Sequence, residues 1–162
     1  MAYLLDTNVF IEAKNRYYGF DICPGFWDWL VAENAASRVV SIEKVGDELR
    51  GGEDALAEWA KARGTEFFLT PDATVLPALG TISEWSKGQG YEPAAITTFL
   101  EKADLYVVAH ALAQGHVVVT QEIPSDSTKR IKIPNACIGV GVKCVGPFEM
   151  LRASKARFVL ER

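Results

Sequence analysis

Tyr3-Leu4-Leu5-Asp6-Thr7-Asn8-Val9-Phe10-Ile11 governs the reading of the whole chain. Tyr3-Leu4-Leu5 reads as a short buried strand, Asp6-Thr7-Asn8 as a polar turn, and Val9 to about Lys14 as a helix, which together make a βα unit. The alternation then repeats. Val39-Val40-Ser41-Ile42 is a second strand leading into a helix from about Glu43 to Leu49, which Gly51-Gly52 terminate. An almost wholly apolar helix over 104–114, capped by Gly115, feeds the central buried strand Val117-Val118-Val119-Thr120. Between these units the pattern predicts helices opening at Phe26, over 54–63, from Pro71 to about Lys87 and from Pro93 through Leu100, with the apolar run Phe67-Phe68-Leu69 among them. A polar loop over 121–130, a short helix over 134–138, a last strand over 142–145 and a helix over 147–153 complete the chain. Strands alternating with helices predict an α/β domain with a mostly parallel sheet.

Composition narrows the class. At 162 residues, 49% hydrophobic and 23% charged, the chain is long enough for one domain, 1–162, with a proper core, and disorder is excluded. No 20-to-50-residue period recurs and no run approaches a membrane span, so a fibre, a repeat array and a membrane protein are excluded, and a cytoplasmic location is expected. Three cysteines without C-x-x-C spacing, Cys23, Cys137 and Cys144, suit buried reduced thiols better than a disulfide or zinc framework. His110 and His116 match no zinc-protease spacing and read as satisfied structural histidines; Ile138-Gly139-Val140-Gly141 lacks the third glycine of a dinucleotide fingerprint. Phe26, Trp27 and Trp29 read as core rather than as a stacking platform for bases. The net charge of −4 is uneven: residues 1–125 carry 9 Lys and Arg against 18 Asp and Glu, and residues 126–162 carry 8 against 3. An acidic body beside a basic C-terminal quarter fits a carboxylate-lined site next to a phosphate-attracting surface.

In open parallel sheets ligands gather beyond the carboxyl ends of strands, and acids recur there in this sequence. Asp6 follows the first strand, Glu48 lies on the helix after the second, Glu122 lies two residues past Thr120, and Asp104 heads the helix that feeds the same strand. On the second helix Ile42, Val45 and Leu49 define the buried stripe; Glu48 lies nearer its edge than Glu43, and Asp47 points away. Glu43 stays an alternative because it is closest to the strand end. Each acid also has a plainer reading, Asp6 as a helix cap, Asp104 as a first-turn acid and Glu122 as a loop residue. Carboxylates at one edge repel unless a cation sits between them, and a hard divalent ion with oxygen ligands is the fitting one, which points to phosphoryl chemistry with an activated water. Lys129, Arg130 and Lys132, and more weakly Lys14 and Arg16, are candidates to hold nucleic-acid phosphates.

Leu5-Asp6-Thr7-Asn8-Val9-Phe10-Ile11, Asp47-Glu48-Leu49-Arg50-Gly51-Gly52, Ala103-Asp104-Leu105-Tyr106-Val107-Val108-Ala109-His110-Ala111 and Val118-Val119-Thr120-Gln121-Glu122 resemble, in order, the motifs of PIN-domain ribonucleases. The match is to a PIN-like branch allied to the VapC-type toxins of prokaryotic toxin–antitoxin pairs. The resemblance implies a PIN-like three-layer α/β/α fold with a short, mostly parallel central sheet. It also implies a Mg²⁺- or Mn²⁺-dependent endoribonuclease with Asp6, Glu48, Asp104 and Glu122 as catalytic metal ligands. Thr120 then matches the small hydroxyl residue before the fourth acid, and Thr7 or Asn8 orients Asp6 or the metal's waters. An RNA substrate, a cognate antitoxin, a homodimer with paired sites, and products with 3′-hydroxyl and 5′-phosphate ends are implied as well. The fourth acid in such toxins is usually Asp, and Glu122 departs from that, which brings in Asp126 as a further participant. Two other classes compete: a catalytically degenerate PIN-like module that binds RNA or protein, and a metal-dependent phosphatase or nuclease acting on DNA.

Overall fold

The computed structural model describes residues 1–160 of the chain. Five strands, β1 (Tyr3–Leu5), β2 (Val39–Ile42), β3 (Phe68–Leu69), β4 (Val117–Val119) and β5 (Cys144–Val145), form one sheet in the order β3-β2-β1-β4-β5. Every pairing is parallel, with Leu4 opposite both Val40 and Val118. The mostly parallel sheet expected from the sequence is therefore parallel throughout. Strands of two to four residues suffice because both faces are covered, as the fully buried β2 and β4 show.

Nine helices among the described residues flank the sheet in a three-layer α/β/α arrangement: α1 (Thr7–Glu12), α2 (Pro24–Ala35), α3 (Glu43–Arg50), α4 (Ala55–Lys61), α5 (Val75–Lys87), α6 (Pro93–Glu101), α7 (Ala103–Gln114), α8 (Ile133–Val140) and α9 (Pro147–Ala153). α7 packs against β1, β2 and β4 and against α5 and α8, which explains why it is apolar nearly all round. It ends at Gly115, whose φ of 72° is the left-handed cap that glycine adopts without strain. One core runs from β1 through α7 to Ile133 and Met150. The close approach of α5 and α8 depends on Gly139, where a Cβ would overlap the Trp85 indole.

The first helix departs from the expected span. It begins at Thr7, directly after Asp6, and at Ala13 it widens into one turn of π-helix, Ala13–Tyr17. That turn presents Tyr18 to the aromatic cluster of α2, where it stacks on Phe26 at 4.5 Å and its carbonyl accepts from Trp27 Nε1 at 2.7 Å. Phe26 and Trp27 are core residues, whereas Trp29 is half-buried. Of the thiols, only Cys137 is buried; Cys23 and Cys144 are half-buried. The expectation of satisfied histidines holds for His116, whose Nδ1 accepts from the Ala2 amide, and fails for His110. Its ring is buried on α7, and neither nitrogen finds a partner among the described residues. No helix among the described residues is long and apolar enough to cross a membrane.

Candidate metal centre

The strand order reverses at β1 and β4: the chain moves from β1 outward through β2 and β3, then returns to place β4 on β1's other side. The crevice beyond the carboxyl ends of two such strands is where open α/β sheets bind ligands. Asp6 leaves β1 and Thr120 leaves β4 at this point, and Asp6 Oδ2 accepts the Thr120 hydroxyl at 2.9 Å. Asp6 Oδ1 accepts the Thr7 amide at 2.8 Å, which makes the carboxylate the cap of α1 as well. Thr120 Oγ1 in turn accepts from Asn8 Nδ2 at 3.3 Å and from the Glu122 amide at 3.1 Å, and Asn8 Oδ1 accepts the Gln121 amide at 3.0 Å. This closed polar network sews the ends of the two strands together. The hydroxyl of Ser41, fully buried on β2, donates to the Leu5 carbonyl at 2.6 Å and extends the stitching to the third strand.

Asp6 is only 3% exposed, and its carboxyl titrates at about 7. Burial is the main cause and the neighbouring charge of Asp104 the next, against which the Thr120 and Thr7 hydrogen bonds pull downward. Asp104, in the first turn of α7, is raised to about 6 by burial, then by Glu122 and Glu48, while Lys102 and Arg130 oppose the rise. Neither aspartate joins a salt bridge among the described residues. A buried carboxylate, Asp6, and a half-buried one, Asp104, thus lie near enough to feel each other's charge, and neither is held in an ion pair among the described residues. An all-oxygen set of this kind suits a hard divalent cation.

Glu48 is exposed on α3, and its charge reaches Asp104. Glu43 is half-buried at the start of α3 and is not among the main influences on either aspartate, and Asp47 is turned aside to Arg50. Glu122 is also engaged elsewhere, since its Oε2 accepts the Ile133 amide at the start of α8 at 3.2 Å and its Oε1 lies 3.8 Å from Arg130. Accordingly, among the described residues, no three His, Cys, Asp or Glu side chains form a ready-made cation cluster. Asp126 is exposed in the loop after β4 and is not among the main influences on Asp6 or Asp104.

The basic candidates divide. Lys129 and Arg130 share the wall of a cavity with Asp104. Lys132 is half-buried as the residue before α8. Lys14 is 3.0 Å from Asp54, the cap of α4, and Arg16 is 3.1 Å from Glu12, so both are engaged locally rather than free for phosphates. Lys102, absent from the basic residues singled out by sequence, lies in the same wall as Lys129 and Arg130. Its signal was present as a basic residue two positions before Asp104.

A five-stranded parallel sheet in this order, flanked by helices on both faces, is a PIN-like α/β/α fold. The model of a family described as a domain of unknown function (DUF4411) matches residues 3–158, and the chain belongs to that family. No curated protein matches it. Among solved structures it is similar to one described as VapBC2 from Rickettsia felis bound to a DNA fragment from their promoter. The TM-score is 0.55 at 15% identity, over 90% of this chain and 98% of that one. At that identity the likeness concerns the fold.

Proposed function

We propose that this protein is a divalent-metal-dependent endoribonuclease and the toxin of a prokaryotic toxin–antitoxin pair. The observation that carries the reading is the pair of unbridged carboxylates where the sheet order reverses, Asp6 buried and Asp104 half-buried, close enough that each one's charge bears on the site. The PIN-like fold and the likeness to VapBC2 support it, as does the resemblance of the motifs to VapC-type toxins. That likeness also favours a protein antitoxin as partner. A homodimer with paired sites and a cytoplasmic location are part of the same proposal.

Asp6 and Asp104 would hold Mg²⁺ or Mn²⁺, with Glu48 and Glu122 as outer acids that reach it directly or through water. The ion, when bound, supplies a Lewis acid for the phosphoryl oxygen and lowers the pKa of a bound water. The chain's own residues do the positioning. Thr120 and the Thr7 amide fix both oxygens of Asp6, and Asn8 locks the loop after β4 to the start of α1. Burial of Asp6 keeps competing water away and strengthens its interactions. Arg130 lies beside Glu122, where it can meet an incoming phosphate. Products with 3′-hydroxyl and 5′-phosphate ends are the expected outcome.

A second reading rests on Glu122. Its carboxylate is committed to the Ile133 amide and Arg130, and no preassembled acidic cluster is present among the described residues, as expected of a module that binds RNA without cutting it. The test is cleavage of a panel of structured RNAs, with matched DNAs, by the purified protein in Mg²⁺, Mn²⁺ or EDTA, beside folded Asp6→Asn and Asp104→Asn variants. RNA cutting that needs metal and disappears in both variants supports the nuclease. Cutting of DNA alone moves the assignment to a deoxyribonuclease. If no RNA is cut, and calorimetry finds no Mn²⁺ binding that the substitutions abolish, the catalytic reading fails.

A further inference from the structure

Asp104 also lines a cavity of about 260 Å³, together with Thr98 and Phe99 of α6, Lys102, Lys129 and Arg130. Three of these side chains are cationic, in a chain whose net charge is −4. Among the described residues Lys102 and Lys129 join no salt bridge, and Arg130 has only the long 3.8 Å contact with Glu122, its side chain 58% exposed. Against these three cations the lining offers one carboxylate, Asp104, so the hollow keeps an excess of positive charge that favours an anion. α7 begins at Ala103, and Lys102 before it provides no side-chain cap, so the positive end of that helix lies beside the same cavity.

The cations come from different parts of the fold. Lys129 and Arg130 belong to the loop after β4, whereas Lys102 is the single extended residue joining α6 to α7, at φ −100° and ψ 166°. Its backbone is therefore fixed by the packing of two helices. The hollow has room for a phosphate group, and Phe99 adds an apolar residue to its lining. An RNA strand whose phosphate reaches Asp104 must bring a neighbouring phosphate past an acidic body, and this is the cationic place beside that path.

We propose that the hollow formed by Lys102, Lys129 and Arg130 binds the internucleotide phosphate adjoining the one that is cleaved, and that Lys102 is a positioning residue for the RNA strand. The inference rests on the nuclease reading and deepens it. The contact is to phosphate, so it fixes register without reading sequence.

The experiment measures binding of labelled single-stranded RNA oligomers to the full chain in EDTA, over a range of NaCl. Wild type is compared with Lys102→Gln, Lys102→Arg, Lys129→Gln and, as a control, Lys61→Gln on α4. A parallel series carries one uncharged methylphosphonate linkage at successive positions, and free inorganic phosphate is added as a competitor. Lys102→Gln is expected to weaken binding several-fold for every sequence and to reduce the slope of log affinity against log salt by about 0.7, the value for one lost contact on a single strand. Lys102→Arg restores both, and Lys61→Gln changes neither. One methylphosphonate position lowers wild-type affinity and leaves Lys102→Gln unaffected, which assigns the site to a phosphate within the strand. Competition by inorganic phosphate without a position-dependent methylphosphonate effect would overturn the RNA assignment and leave a site for free phosphate. If wild type binds and cuts RNA while Lys102→Gln has unchanged affinity and slope, the subsite is wrong and the nuclease stands. If wild type neither binds nor cuts RNA, the nuclease reading itself fails and the subsite falls with it.

Discussion

Asp6→Asn removes a charge that the fold buries beside another charge, and the structure sets both the sign and the size of the effect. The Asp6 carboxyl is 3% exposed and titrates at about 7 instead of 3.8, so the folded state holds its proton more tightly than the unfolded chain does. The stability this contributes is fully present below the unfolded value of 3.8 and is lost as pH rises through about 7. A displacement of that size corresponds to about 4 kcal/mol against the ionised carboxylate at pH 8. Asparagine keeps an oxygen for the Thr7 amide but turns an amide toward Thr120, whose oxygen already accepts from Asn8 and Glu122, and losing that charge-assisted bond costs about 2 kcal/mol. The net expectation at pH 8 without divalent metal is a gain of about 2 kcal/mol, or roughly 4–8 °C in Tm for a chain of this length. Below about pH 5 the order inverts, because wild type is then protonated and keeps its hydrogen bond. Urea unfolding in EDTA at pH 5, 6.5 and 8 measures all three regimes. If wild-type stability does not fall across that range and Asp6→Asn is the less stable protein at pH 8, the buried-charge argument is wrong.

Three further substitutions test other parts of the structure. Thr120→Val breaks the bonds to Asp6, Asn8 and the Glu122 amide, raises the Asp6 carboxyl further, and should cost about 2 kcal/mol in urea unfolding. It should also lower metal-dependent cleavage by at least ~10-fold, as loss of a residue supporting a ligand does; unchanged activity would remove Thr120 from the site. Gly139→Ala forces α8 away from Trp85 and should destabilise by about 1–3 kcal/mol in thermal unfolding, with Trp85 fluorescence shifted even in the folded state. His110→Leu replaces a buried ring with no hydrogen-bond partner among the described residues and should raise stability by about 1 kcal/mol; a loss instead would mean that the ring is held by an ordered water.

Much of the architecture follows from local pattern. Tyr3-Leu4-Leu5, Val39-Val40-Ser41-Ile42 and Val117-Val118-Val119 are strands because short β-branched or apolar runs between polar turns have no other way to bury both faces. Gly115 and Pro147 mark helix ends for equally local reasons, one by its left-handed φ and the other by its ring. The π-turn at Ala13–Tyr17 was not legible, since it answers to contacts of Tyr18 with Phe26 and Trp27 rather than to the residues within it. Nor was the second commitment of Glu122, whose partner Ile133 is eleven residues away across a loop.

The candidate site divides along the same line. Sequence alone determined which residue types stand at strand ends, because a polar acid after a buried strand is a one-dimensional signal: Asp6 after β1, and Thr120 with Glu122 after β4. Only the tertiary structure decided which of them meet. The reversal of strand order beside β1 brings residues 114 apart in sequence to 2.9 Å, and burial raises the Asp6 and Asp104 carboxyls together. The same packing drew Lys14 and Arg16 into ion pairs and set Lys102 on the same cavity as Lys129 and Arg130. Charge and patterning are properties of the chain, but desolvation and repulsion depend on separations through space, which exist only once the sheet has closed on its helices.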